Sequence, residues 1–221
     1  MSQRGFGHAS FLVMQPGPGA DASERTFIEA ARRAQIVAAA IDTIAEVGYA
    51  GASLGRIAGR IGISRGLISY HFAGKDELMN EVISEVVAQA RDYMEPRIFA
   101  EPTGPGRVRA YIESNLAFMR EHRNYLIAVV EILRHRVAAE GPRRVRGPNP
   151  DVPARPLVDL LASAQAAGEL RDDFDPRTMA IAIRAAIDAA PPLMSLDPKF
   201  DIDSYAKEIA NAFERATRID R

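Results

Sequence analysis

The sequence predicts an all-α protein in two parts, a compact three-helix unit followed by a larger helical domain. Apolar residues recur at offsets of three, four and seven along most of the chain, and no alternating strand pattern interrupts them. The 221 residues suit one large domain or two small ones, not three. Apolar residues make up 47% and charged residues 26%, which gives an ordinary core and excludes collagen-like and disordered classes. No repeat of fixed period appears.

Residues 1–25 are rich in Gly, Pro and Ser and carry no period, so they read as a flexible tail; Arg4 is a candidate DNA contact there. From Arg25 a helix is expected, with Val37, Ala40, Ile41, Ile44 and Val47 on one stripe and Gly48 as its left-handed stop. Ser53 caps a short second helix holding Leu54, Ile57, Ala58 and Ile61, and Gly62 ends it. Ser64 caps a third helix, whose Ile63 and Ile68 reach back to the first two and which closes at Phe72. Two short helices joined by a Gly-containing turn and braced by a longer one make a helix-turn-helix over residues 26–74.

The fourth helix opens at Lys75, with Asp76 and Glu77 suiting its dipole, and is expected to end at Met94 ahead of Pro96. Helices follow over 107–121 and 125–139, then a proline-rich loop from Gly141 to Pro153. The last helices are expected over 155–167, 176–189 and 202–218. No apolar run near the start matches a signal-peptide core and none reaches the length of a membrane span, so a cytoplasmic protein with no membrane partner is expected. The absence of cysteine excludes disulfides, Cys-ligated zinc and thiol nucleophiles.

Charge is informative only locally. The chain totals −1, yet Ser53–Lys75 holds Arg56, Arg60, Arg65 and Lys75 and no acid. Such a face suits phosphates, with Ser53, Ser64, Ser69, Tyr70 and His71 adding hydrogen-bonding groups. Gly66 permits close approach to a groove, Arg65 can take guanine O6 and N7, and Leu67 can meet a thymine methyl. Arg56 and Arg60 read equally as solvated surface or as phosphate contacts. His71 has no nucleophile or carboxylate beside it in the motif, so it is not read as a catalytic base. No nucleophile–base pair, phosphate loop or three-ligand metal set is evident; neither an enzyme nor a cofactor is expected.

The segment GISRGLISYHFAGKDEL resembles the recognition-helix signature of TetR-type transcriptional regulators, and GYAGASLGRIAGRIG resembles their second helix. The likeness covers roughly residues 30–90. Leu67 stands where a small polar residue is frequent, and Ser69 where an aromatic is frequent. The resemblance implies DNA contacts from Ser53, Arg56, Ser64, Arg65, Gly66, Leu67, Ser69, Tyr70, His71 and Lys75. It also implies an effector-binding and dimerisation domain over 75–221, and a homodimeric repressor that leaves a palindromic operator when a small apolar or amphipathic effector binds. Candidate pocket residues are Phe118, Met119, Tyr125, Glu131, Ile132 and His135, with Phe99 and Met194 as further apolar candidates. Glu131 and His135, four apart, share a helix face and read as a ligand-orienting pair, a two-ligand metal site or a surface pair. Met179, Ile183, Ala186, Ile187 and Ala190 form an apolar strip expected at the dimer interface, although burial within one subunit explains it too. A DNA-binding protein of this fold without a small ligand is the alternative.

Overall fold

A computed structural model describes residues 18–140, 151–197 and 199–219; Arg4, the rest of the tail to residue 17 and loop residues 141–150 lie outside them. Among the described residues the regular elements are ten helices: α1 (Pro18–Gly51), α2 (Leu54–Arg60), α3 (Arg65–His71), α4 (Lys75–Phe99), α5 (Gly104–Glu121), α6 (Arg123–Glu140), α7 (Asp151–Ala166), α8 (Pro176–Asp188), α9 (Ala190–Leu196) and α10 (Ile202–Thr217). The expected all-α architecture is what forms.

Several boundaries shift, each for a local reason. α1 begins at Pro18, inside the segment expected to be tail, because proline suits a helix start and Ala20 and Ala22 favour continuation. Its path breaks at Gly48, which takes φ 71° as expected. α4 runs through Pro96 to Phe99 instead of stopping at Met94. A proline one turn from the end removes a single ladder bond, and Met94 and Ile98 are buried on either side of it. Thr103 starts α5 three residues early by accepting a hydrogen bond from Gly106 N at 3.2 Å. α7 begins at Asp151, within the stretch read as loop. Pro191 and Pro192 sit in the first turn of α9, a helix that the sequence reading did not expect.

The apolar interior forms two clusters, and they do not divide at residue 74. The first joins α1, α2 and α3 to the N-terminal half of α4, and extends to Phe118 of α5 and to Ala128 and Ile132 of α6. The second takes Met94 and Ile98 of α4 with α5, α7, α8 and α10. α4 thus runs from one core into the other.

The α8 strip is corrected. Ile183, Ile187 and Ala190 are 0% exposed in a single chain, packed into the second cluster, and leave nothing for another subunit to touch. Met179 and Ala186 are half-buried at its edge, and the Ala186 carbonyl accepts from Tyr205 Oη at 2.6 Å. What α8 turns outward is a different face, with Thr178, Ala182 and Ala185 exposed and Ile181 half-buried. One stretch, Pro176–Leu196, 21 residues, is long and apolar enough on average to cross a membrane, though it is not an unbroken apolar run. In the fold this stretch is α8 plus α9; it carries Arg177, Arg184 and Asp188, and its apolar side packs on the protein's own core.

Candidate nucleic-acid interface

The two short helices are held from below and capped from above. Ile57, Ala58, Ile68 and Phe72 are buried against α1, which fixes the angle between α2 and α3. Ser53 Oγ accepts from Arg56 N at 3.2 Å, and Ser64 Oγ accepts from Leu67 N at 3.1 Å. Gly62, at φ 68°, makes the turn between them, a conformation that a side chain would strain.

This packing leaves Arg56, Arg65, Gly66, Ser69 and Tyr70 exposed on one side, with Leu67 and His71 half-buried beside them. Tyr70 is 71% exposed; its hydroxyl donates to Glu29 Oε1 at 3.3 Å, and its ring meets the His71 ring edge-on at 5.0 Å. Ser69 Oγ donates to the Arg65 carbonyl at 3.3 Å. The four cations expected to face phosphate are not equivalent. Among the described residues the Arg56 side chain meets the Gly51 carbonyl at 3.3 Å, which leaves most of its five donors available. Arg60 is paired with Glu46 at 2.6 Å. Lys75 Nζ donates to the Tyr49 carbonyl at 2.6 Å and lies 3.9 Å above the Tyr49 ring, and burial there pushes its pKa below the ordinary lysine value.

Two residues that sequence reasoning missed set this geometry. Arg33 of α1 donates to the His71 carbonyl at the end of α3, covers the Phe72 ring at 4.2 Å and approaches Glu81 at 3.5 Å. It therefore ties α1, α3 and α4 together, and Glu77 adds a bond from Ala73 N at 2.6 Å. Nothing in the local pattern marks Arg33, since an arginine on the polar side of a helix reads as solvated. Arg33→Met is expected to lower stability by about 1–2 kcal/mol, measured by thermal denaturation, because a carbonyl loses a charged donor and a ring loses its cation. The second missed residue is Tyr49, against which Lys75, Glu131 and His135 all converge.

Among the described residues, the apolar candidate effector residues divide between the two core clusters. Phe118 and Ile132 are buried in the first core cluster, Tyr125 packs on it, and Met119 packs on the second. Phe118 stacks on His122 at 4.4 Å and meets Tyr93 edge-on at 5.6 Å, so protein rings occupy this volume. Phe99 is largely exposed, and Met194 packs against the second cluster. Two surface depressions stand out among the described residues, of about 340 and 360 Å³, one by Phe27, Ile28 and Arg32 and one by Glu46, Arg56 and Arg60. Both lie on the N-terminal side.

An exposed basic helix-turn-helix on an all-helical scaffold defines a DNA-binding regulator. Residues 36–82 match the model of the bacterial regulatory proteins of the tetR family, so the helix-turn-helix of this chain is similar to theirs. It is 33% identical over 90 residues to the HTH-type transcriptional regulator BetI of Escherichia coli O17:K52:H18, 40% of this chain and 46% of that one. It is 36% identical over 86 residues to BetI of Klebsiella pneumoniae, 38% of this chain and 44% of that one. The chain thus spans less than half the length of these relatives.

Among solved structures, one concerned with the control of antibiotic production by bacterial hormones superposes with a TM-score of 0.72 at 27% identity, over 85% of this chain and 98% of that one. A second, a FadR regulator from Bacillus subtilis in complex with stearoyl-CoA, gives 0.68 at 22% identity, over 81% and 96%, and shows the fold alone.

Proposed function

We propose that the chain binds a palindromic DNA operator as a homodimer and represses the adjacent transcription unit. The observation that carries this reading is the exposed face of α3 with Arg65, Gly66 and Tyr70, flanked by Arg56 of α2. Arg65 reads bases, Leu67 contributes apolar contact, and Ser53, Arg56, Ser64, Ser69, Tyr70 and His71 position the backbone. Lys75 serves chiefly as a structural cation through Tyr49. The twin subunit covers the outward face of α8, around Ala182 and Ala185, with Ile209 and Phe213 of α10. Action on the chromosome places the protein in the cytoplasm, with no catalytic role.

The test is selection of duplexes from a random library, followed by affinity measurement. Enriched sites with two-fold symmetry are expected, and Arg65→Ala is expected to relax preference at one base pair per half-site by about 1–3 kcal/mol. Unaltered preference in that variant removes Arg65 as a base reader.

Release by a small apolar or amphipathic effector is the finer reading. The likeness to a structure concerned with hormone control supports it, and the mechanism is a linkage: a molecule favouring a different tilt of α4 lowers operator affinity by its preference for that state. The packed rings around Phe118 require α4, α5 and α6 to part before such a molecule enters. That same packing favours a second reading, a regulator controlled by a protein partner. Small molecules that both raise the melting temperature and release the selected duplex decide for the effector.

A further inference from the structure

Tyr49, at the end of α1 just beyond the Gly48 break, meets the start of α4 and the middle of α6 through four contacts. Its backbone N donates to Glu131 Oε2 of α6 at 3.3 Å. Its carbonyl accepts from Lys75 Nζ at 2.6 Å. The same ammonium lies 3.9 Å from the ring centroid, while the His135 ring of α6 stacks on the Tyr49 ring at 3.9 Å and 22°. Glu131 and His135 are one turn apart on α6, so they act on backbone and ring together. Gly48 completes the fit: at φ 71° it suits glycine, and a Cβ there would come within 3.3 Å of Glu131 Oε2.

We infer that Tyr49 is a latch through which α6 and the recognition helix sense one another, resting on the DNA-binding role proposed above. The route is short and made of named contacts. α6 holds Tyr49; Tyr49 holds Lys75 at the first residue of α4; and α4, through Glu77 and Glu81, holds Arg33, which donates to the last carbonyl of α3. A displacement of α6 draws on the Tyr49 backbone and uncovers its ring, and both changes loosen Lys75. α4 then has less to fix its start, and α3 is fixed partly through α4. None of the four contacts uses the phenol hydroxyl. The ring faces and the backbone are what couple.

Coupling is reciprocal, so DNA at α3 must be felt at α6, which carries none of the residues proposed to touch DNA. The experiment is amide hydrogen exchange on the full chain, with and without the duplex that the wild type enriches from a random library. Saturating duplex is expected to change exchange at Tyr49 and at residues 128–136 by about fivefold or more. Tyr49→Phe keeps this change, whereas Tyr49→Leu and His135→Ala lose it; His135 is exposed, so its variant keeps the fold. An enriched duplex that leaves α6 exchange unaltered in the wild type overturns the latch while the DNA-binding reading stands. So does a response that survives in both Tyr49→Leu and His135→Ala. If no duplex is enriched, the DNA-binding reading fails and the latch falls with it.

Discussion

Ile183→Glu is expected to abolish the native fold, not to split a dimer into folded monomers. Ile183 is 0% exposed inside one chain, surrounded by the second core cluster. The substitution removes a packed side chain and places a carboxylate where no partner is arranged, at a combined cost of about 5 kcal/mol or more. Domain stabilities are typically ~5–15 kcal/mol, so this change alone takes most of the margin. Circular dichroism is expected to show loss of cooperative unfolding at room temperature. Ala185→Glu, on the exposed side of the same helix, is the contrasting variant. It is expected to fold, and to sediment as a monomer if the outward face is the subunit seam. A folded, unaltered dimer for Ala185→Glu moves the seam off α8.

The second large effect is the salt dependence of duplex binding, which internal contacts of two of the cations make shallower than charge counting suggests. The basic segment holds four cations per subunit, but Arg60 is paired with Glu46 and Lys75 is held on Tyr49. Arg56 and Arg65 remain, giving four cations in a dimer that can displace counterions, Arg56 at the phosphates and Arg65 at the groove edge. The slope of log K against log salt is then about −3.6, and affinity falls roughly 150-fold between 50 and 200 mM salt. Had all four cations in each subunit acted, the fall would be roughly 20,000-fold. Glu46→Gln releases Arg60, and is expected to steepen the slope by about 1.8 while raising affinity at low salt. A wild-type slope near the steeper value means that both internal pairs break on binding.

How much of this was legible beforehand depended on the range of the interaction. The caps at Ser53 and Ser64, the positive φ at Gly48 and Gly62, and the burial of Ile57, Ala58, Ile68 and Phe72 all follow from spacing within a few residues, because capping and helical periodicity are local. α9 and the full length of α4 were hidden because proline reads as a breaker, whereas its place relative to a helix end decides what it costs. The α8 strip is legible in the sequence as apolar, but whether a twin subunit or the chain's own core covers it is not. Periodicity identifies a face that must be covered, and it does not say by what.

The sequence by itself determined the helical class, the helix-turn-helix and the basic character of its outer face, since each rests on residues within one or two turns of one another. Only the tertiary structure decided which cations stay available, what covers Ile183, and that Glu131 and His135 meet at Tyr49. Those outcomes join residues far apart in the chain, Tyr49 with Glu131 at a separation of 82 and with His135 beyond it, and no local pattern encodes which distant side chain arrives. The physical reason is that burial is non-directional, whereas an ion pair or a ring stack requires its particular partner in place.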